Sequence, residues 1–356
     1  MMISPKTRNR DSNLELLRIV CMLFILMHHF IVHVFYPNLA LHDGNLGWYR
    51  VISIVINGFA YVGVNCFILI SGYYGIKFKW KSIFNLYCLC AFYALLVVVE
   101  RCICHDIPFD KGMLYAVILP FSHSEWWFIT CYSALFMLSP ILNKAIEGFG
   151  RKEFVLAIVL LTIVNLYFGY YWHLHNVDGY NLLQFVFVYF IGAFLHKFPL
   201  KGLDRRMSLA LYLTCVALWS IITIISVKWR IPHWSSFQYN NPIVILSSVG
   251  LFVYMTTFEI RSHKINALAS GVLAAYLIQD VQCGLICSFS NIYKENITMS
   301  CNMESMKILS MFGFVVLGSV VVLIIALAID KVRSVLMIPV WKVYGKVRLK
   351  IGKMNN

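Results

Sequence analysis

The sequence predicts an all-α integral membrane protein, a polytopic bundle of about ten transmembrane helices with both termini in the cytoplasm. Of its 356 residues, 60% are hydrophobic and 13% are charged, and the mean hydropathy is +0.74. An average soluble domain has roughly 25% charged residues. Apolar stretches of about 20 residues, each enough to cross a hydrocarbon core of about 30 Å, recur along the whole chain. Such uninterrupted stretches favour helices over the alternating strands of a membrane barrel.

The apolar stretches divide the chain into spans and two tails. Ten spans are predicted, at residues 13–36, 50–74, 82–102, 126–146, 153–171, 181–198, 207–228, 241–259, 264–288 and 306–329. The segment Gly112–Phe121 is too short to cross, and we expect it to lie in the interface or to re-enter. Residues 1–12 and 330–356 are predicted as basic cytoplasmic tails around a transmembrane domain at 13–329. The first span is too long for a cleaved signal peptide and should remain in the mature protein.

The placement of the basic residues gives the predicted orientation. A formal net charge of +14 is compatible with nucleic-acid binding, but most of the 30 lysines and arginines lie in the tails and in alternate loops. This positive-inside bias supports an even number of spans with both termini in the cytoplasm. The sequence therefore predicts the lipid bilayer, and no nucleic acid, as a partner. The 11 cysteines lie mostly within spans, and no zinc-type spacing predicts a metal site.

The first span, with the segment "LRIVCMLFILMHHF", carries Arg18, His28 and His29 among apolar residues. Ionisable groups in membrane helices are costly and by default face a partner, a cavity or a substrate path. Arg18 and His29 share one helix face to within about 20°, about 16 Å apart along the axis. His28 points about 100° away, and His33 extends the face one turn outward.

Two interpretations of this face stay open on spacing alone. In the first, the Arg18 guanidinium holds a phosphate or carboxylate near the cytoplasm. The His29 imidazole then accepts a proton from a hydroxyl at neutral pH. In the second, Arg18 extends to the cytoplasmic headgroups and His29 hydrogen-bonds a neighbouring helix. The first interpretation suits a reaction that links the two sides of a membrane.

Further polar groups lie at the ends of later spans. Lys77, Lys79 and Lys81 in "KFKWKS" form a basic cytoplasmic cluster suited to a polyanionic ligand, although ordinary positive-inside residues account for the same charges. In "HSEWWFITCY", Trp127 is predicted as part of an interfacial aromatic anchor. Glu125 beside it is placed to orient a histidine or a sugar hydroxyl, or else it is a solvated loop acid.

Polar and small residues inside two other spans predict helix contacts. Asp280 in "AAYLIQDVQ" needs a partner or a proton in its apolar surroundings. In the second span, Asn65 is predicted to bond between helices, and small residues are predicted to allow close helix approach: Gly63, Ser71, Gly72 and Gly75. The outer loop Tyr170–Tyr180 mixes aromatic and polar residues, which suits either stacking on sugar rings or an interfacial belt.

Five segments together carry a family resemblance. They are "NLELLRIVCMLFILMHHF", "GVNCFILISGYYG", "WWFITCYSALFMLSPILNKAI", "FVFVYFIGAFLHKF" and "AAYLIQD". In this order and spacing the sequence resembles the acyltransferase-3 family of membrane acyltransferases over nearly the whole chain. The first segment is the most specific, because that family carries an arginine and a histidine separated by ten residues in its first helix, here Arg18 and His29.

The resemblance implies transfer of an acyl group, most often acetyl, from cytoplasmic acyl-CoA to a carbohydrate hydroxyl on or near the far side. It implies His29 as catalytic base or acyl relay and Arg18 on the CoA side, while the sequence itself shows no metal cluster. Two departures matter. Where many members carry an arginine pair, Lys79 keeps one position and Ser82 replaces the other, and where many carry a histidine this chain has Gln279.

The preferred hypothesis is a membrane-bound O-acyltransferase in a bacterial cytoplasmic membrane, acting on an envelope or exopolysaccharide glycan or its lipid-linked precursor. In it, Arg18, His28 and His29 face a passage through the protein. The predicted substrate-binding residues are Lys77, Lys79, Lys81, Glu125, Trp127 and Asp280. The alternative is a proton-coupled glycolipid transporter or flippase using Asp280 and His29. That class predicts an internal repeat with paired broken helices, which the sequence does not show.

Overall fold

The computed structural model confirms an all-α fold. It describes residues 11–35, 39, 43–104, 107–122, 126–174, 177–200, 202–231, 237–279, 286 and 304–345. These ranges contain thirteen α-helices and a further helical segment at 338–345. The thirteen are α1 Ser12–His29, α2 Trp48–Ala60, α3 Gly63–Tyr74, α4 Trp80–Cys104, α5 Lys111–Ile118, α6 Trp127–Gly148, α7 Arg151–Thr162, α8 Leu182–Lys197, α9 Arg205–Lys228, α10 Pro242–Thr256, α11 His263–Ala269, α12 Leu273–Ile278 and α13 Glu304–Leu336. Two helices continue as π-helical turns, α1 through Phe30–Phe35 and α7 through Ile163–Tyr171. No strand occurs in the ranges described.

The helices match the predicted membrane spans in most places. Seven are long and apolar enough to cross a membrane: Ser12–Phe35, Trp48–Tyr74, Trp80–Ile103, Trp127–Gly148, Arg151–Tyr171, Arg205–Lys228 and Ile308–Leu336. Two more apolar helices, Leu182–Lys197 and Pro242–Thr256, are shorter. The segment predicted to be too short to cross forms α5, a helix of eight residues. The protein is therefore an integral membrane helical bundle.

Two of the predicted spans are broken helices. A turn at Tyr61 and Val62 separates α2 from α3 inside the second span. The ninth predicted span is not continuous either, because a turn at residues 270–272 separates α11 from α12. At that turn, Gly271 packs closely on α13, where an added Cβ would lie 2.9 Å from Leu327 Cδ2. The side chain that follows α12, Gln279, is buried.

Helix α3 packs in the centre of the bundle, against α1, α8 and α10. At its contact with α8 the two backbones touch, since a Cβ on Gly72 would lie 2.1 Å from Tyr189 O and one on Gly192 would lie 2.3 Å from Leu69 O. A Cβ on Gly63 would lie 2.9 Å from Cys21 O of α1. The predicted close approach is thus confirmed at Gly63 and Gly72. Gly75 is instead a turn residue, with φ +67°.

A buried arginine holds the loop between the first span and α2. The Arg50 side chain is fully buried, donates to the Asp43 carboxylate, and donates to the carbonyl oxygens of Asn45 at 2.6 Å and Leu39 at 3.1 Å. Arg230 Nε donates to the Asp43 carbonyl at 3.1 Å. Asp43 therefore joins the start of α2 to the end of α9.

The Asp43 contact gives this loop a predictable pH response. Arg50 holds the pKa of the Asp43 carboxyl below its ordinary value of 3.8. A carboxylate with a lowered pKa contributes stability above its unfolded pKa and loses it as the pH falls through the lower, folded value. We expect the loop to resist protease from neutral pH down to about pH 5 and to open only in stronger acid. Asp43→Asn should be cleaved at neutral pH, and equal protection of this variant would show that the ion pair does not hold the loop.

Candidate active site

Arg18 lies in the N-terminal half of α1 and is partly exposed. Its side chain keeps 31% of its accessible surface, and its Nη1 lies 3.4 Å from Oε2 of Glu15, one turn earlier. Arg18 is also close enough to Tyr74, at the end of α3, to act on it electrostatically. Tyr74 donates to Asp11 Oδ2 at 2.8 Å. The guanidinium is therefore oriented by Glu15, a buried acid of the same helix, and lies near the end of α3, where the lysine-rich segment begins.

His29 is the last residue of α1, where the helix changes from α to π geometry. Its side chain is half-buried, and its Nδ1 is enclosed without a hydrogen-bond partner in the described part of the chain. The buried Gln279 side chain, which follows α12, lies close enough to the imidazole to interact with it. Because α1 is an unbroken α-helix from Ser12 to His29, Arg18 and His29 share one face at the predicted separation of about 16 Å.

His28 does not face the same region as His29, so the hypothesis that all three polar groups of α1 face a passage is wrong for His28. Its Nδ1 donates to Asn57 Oδ1 of α2 at 2.7 Å, and its ring meets the edge of Tyr61 at 5.1 Å. Both partners are buried. The hydrogen bond to a neighbouring helix, considered for His29 from the sequence, is made by His28.

The helix face between Arg18 and His29 is closed by packing. Met22 and Ile25 lie on this face and are buried. Ile25 Cγ1 would lie 3.0 Å from a Cβ on Gly63, so α3 covers this section of α1 directly. The polar ends of the face are thus separated by a packed apolar section.

The three predicted lysines lie where α3 joins α4, with Lys77 and Lys79 on the joining segment and Lys81 in the first turn of α4. Lys77, Lys79 and Lys81 are all exposed. Lys81 Nζ lies 5.3 Å from the Trp341 ring, so the helical segment at 338–345 packs against this lysine. The structure brings the segment to the same end of α3 as Arg18, since Tyr74 precedes it directly.

Hydrogen bonds fix the backbone of the lysine segment. The Tyr189 hydroxyl accepts from Ile76 N–H at 2.9 Å and donates to Asn143 Oδ1 at 2.6 Å. Asn143 Nδ2 donates to Ile76 O at 2.8 Å. The segment is therefore held by α6 and α8, and its lysines project from a fixed backbone.

Four aromatic side chains, called here the aromatic group, pack together next to His28, whose ring contacts the first of them: Tyr61, Trp127, Tyr180 and Tyr239. Tyr61 stacks on Tyr239 with centroids 4.7 Å apart, and Tyr239 lies 5.1 Å from Tyr180. Trp127 lies 4.5 Å from Tyr180 and 5.5 Å from Tyr239. Tyr61 and Tyr239 are buried, whereas Tyr180 is 41% exposed. The group thus extends from the neighbour of His29 to the surface.

Comparison with known proteins assigns this arrangement to a family. The acyltransferase-3 family model, described as an acyltransferase domain, matches residues 11–331. The chain belongs to the acyltransferase-3 family. No curated protein and no solved structure matches it. The resemblance stated from five segments is thereby confirmed across nearly the whole chain, and the protein is an integral membrane acyltransferase.

A buried amide network supports the aromatic group of this acyltransferase. Gln184 Nε2 donates to Asn65 Oδ1 at 3.1 Å and to Tyr239 O at 2.9 Å. Asn65 Nδ2 donates to the same carbonyl at 2.9 Å, and Asn165 Nδ2 donates to Gln184 Oε1 at 2.8 Å. The prediction that Asn65 bonds between helices is confirmed, because Asn65 lies on α3 and its partner Gln184 lies on α8. Because buried amides are costly to leave unpaired, this network fixes the backbone at Tyr239.

Some residues of the acyltransferase site lie outside the sequence prediction, and two predicted ones lie outside the described residues. Glu125 and Asp280 belong to segments that the structure does not describe, so their roles stay predictions. The sequence does not predict Tyr239 and Asn57 as residues of this site. Asn57 could have been found as an amide in an apolar span, while Tyr239, in the loop before α10, carries no sequence signal that separates it from an interfacial aromatic residue.

Proposed function

We propose that this acyltransferase transfers an acyl group, most simply acetyl, from cytoplasmic acyl-CoA to a hydroxyl of an envelope or exopolysaccharide glycan or its lipid-linked precursor. The observation that supports this is the arrangement of α1. One unbroken helix carries Arg18 near Tyr74, which precedes the lysine segment, and His29 about 16 Å away. The neighbour of His29 on this helix, His28, contacts Tyr61 of the aromatic group. A donor with several phosphates suits the first end, and a sugar suits the second.

On the donor side, Arg18 and the exposed lysines are proposed to hold the CoA phosphates. Arginine binds phosphate in a bidentate manner, whereas each lysine is a point charge. Of the three guanidinium nitrogens of Arg18, only Nη1 has a hydrogen bond within the described residues, to the Glu15 carboxylate. Nε and Nη2 therefore remain available to a phosphate. The fixed backbone of the lysine segment presents Lys77 and Lys79 with little ordering cost, because only the side chains must be immobilised.

On the acceptor side, His29 is proposed to take the proton of the attacking hydroxyl. The hydroxyl oxygen forms the new C–O bond to the acyl carbon, the C–S bond of the thioester breaks, and the CoA thiolate takes up a proton. The half-buried imidazole with a free Nδ1 suits this role, because general-base catalysis needs a nitrogen without a competing hydrogen bond. Trp127 and Tyr180 offer ring faces and polar edges on which a sugar can stack.

The direct test uses membranes that contain the protein and acetyl-CoA labelled in its acetyl group. Label should enter a glycan or glycolipid fraction with the protein and not with membranes that lack it. A panel of longer and dicarboxylic acyl-CoAs covers other donors. If no donor in the panel labels any acceptor, acyl transfer from CoA is contradicted.

Arg18 is expected to act on donor binding rather than on the proton transfer. Arg18→Ala should raise the KM for acyl-CoA by about 10-fold or more with a smaller change in kcat, because a charge-assisted contact to phosphate is lost. Lys77→Gln should raise it less, since this side chain is exposed. Arg261→Gln, an exposed arginine of a different loop, is the control. An unchanged KM in Arg18→Ala would remove Arg18 from the donor site.

One observation favours the alternative of a glycolipid transporter. The structure contains two broken helices, α2/α3 and α11/α12, which the sequence does not reveal, and such breaks are typical of transporter binding sites. The second break leads directly to Gln279 beside His29. Movement of a labelled glycolipid across proteoliposomes in the absence of any acyl-CoA would favour transport, whereas movement that requires donor consumption would favour transfer.

A further inference from the structure

The surroundings of His29 raise the question of where its proton goes, a question that rests on the proposed function. A buried base that takes a proton from a hydroxyl must lose it before the next turnover. Three described side chains interact with the imidazole: His28, His33 and Gln279. Gln279 is an amide and does not titrate. The Nδ1–H group of His28 is hydrogen-bonded to Asn57 Oδ1, and the side chain is buried, so His28 offers the proton no route to water.

His33 is the remaining neighbour, and its position differs from that of the other two. It lies in the π-helical turn that follows His29, and the two rings meet edge to face with centroids 5.5 Å apart. Its side chain is exposed. Helix α13 packs on the same turn with an apolar side chain, Phe314, which contacts Phe30 and Phe35. His33 therefore lies between the imidazole of His29 and the exposed surface of the bundle.

We propose that His33 is the proton relay of this acyltransferase, passing the proton that His29 takes from the acceptor hydroxyl to water on the outer side. The bonds and protons of this proposed step balance without a further reactant. The O–H bond of the acceptor breaks, its proton moves through His29 and His33 to outer water, and the CoA thiolate takes a proton from the cytoplasm. His33 contributes to the reaction through His29 and does not touch the substrate, so it is a positioning residue and not a catalytic one.

The test compares acyl transfer by the wild type, His33→Ala and His33→Phe over a range of pH and buffer concentration. Phenylalanine keeps a ring against His29 but carries no proton, and alanine leaves space for a small base. Both variants should transfer about 10- to 100-fold more slowly at neutral pH, with an unchanged KM for the donor. Added imidazole should restore the rate of His33→Ala in proportion to its concentration, and should restore His33→Phe much less.

The controls separate a relay from a structural role. His263→Ala, which removes an exposed histidine at the start of α11, should match the wild type with and without imidazole. Wild-type rates in both His33 variants would overturn the inference. A lowered rate that responds neither to imidazole nor to buffer base would also overturn it, since that result indicates a packing role. Absence of wild-type product is a different result, because it overturns the proposed function from which the inference starts.

Discussion

Replacement of His29 by alanine is expected to abolish detectable acyl transfer while the protein still folds. General-base catalysis contributes about 10²- to 10⁴-fold, and in the proposed reaction His33 carries the proton onward but does not reach the acceptor hydroxyl. Folding should survive because His29 is half-buried and its Nδ1 makes no hydrogen bond in the described residues. The measurement is label transfer from acetyl-CoA, normalised to the monodisperse protein recovered in gel filtration.

The matched control is the adjacent residue. His28→Ala removes a buried hydrogen bond to Asn57 and should cost about 1 to 3 kcal/mol of stability, seen as a lower melting temperature. Its transfer rate per folded molecule should stay well above that of His29→Ala. If His28→Ala were inactive and His29→Ala active, the two histidines would have the opposite roles to those assigned here.

Replacement of Gly72 by alanine is expected to be the most damaging single-methyl change in the bundle. The added Cβ would lie 2.1 Å from Tyr189 O, and a backbone carbonyl in a packed helix cannot move aside as a side chain can. Overpacking a core typically costs about 1 to 3 kcal/mol, and a backbone clash of this kind should lie at or above that range. Separation of α3 from α8 would also shift Tyr189, whose hydroxyl holds the lysine segment. The yield of monodisperse protein and its melting temperature measure the effect.

Gly313→Ala is the matched control for Gly72→Ala. It makes the same chemical change in another membrane helix, but its added Cβ would have no neighbour within 4 Å. Because alanine is a better helix former than glycine, this variant should be as stable as the wild type or more so. A Gly72→Ala protein as stable as Gly313→Ala would show that α3 and α8 do not pack as closely as described.

The helices and the pairing of Arg18 with His29 could be predicted because both follow from local rules. Hydropathy gives the spans, and an unbroken helix of known pitch places side chains eleven residues apart on one face. The partner of Arg18 could also have been found, since Glu15 lies one turn before it on the same helix. The orientation in the membrane remains a prediction from the placement of charges.

The rest depends on contacts between distant parts of the chain. Nothing in the local sequence distinguishes His28 from His29. The hydrogen bond between His28 and Asn57 depends on the packing of α2 against α1. The breaks at Tyr61 and at residues 270–272 fall in apolar segments, where hydropathy is uninterrupted although the backbone turns. The position of Tyr239 is fixed by amides from two other helices, and a single sequence does not reveal such pairs.

The packed section of α1 around Met22 and Ile25 bears on how a cell keeps its membrane potential. A polar face that stayed open from Arg18 to His29 would admit ions, and each elementary charge that crosses dissipates about 2.3 kcal/mol per 100 mV. With these side chains buried, this section of the face offers ions no polar path. In the proposed reaction the acyl group stays bonded to the CoA sulfur until the acceptor hydroxyl attacks it, so only the neutral, acyl-bearing arm of the donor would enter this section, while its charged phosphates stay beside Arg18. The apolar section would thus admit the neutral part of the donor and keep out its charges.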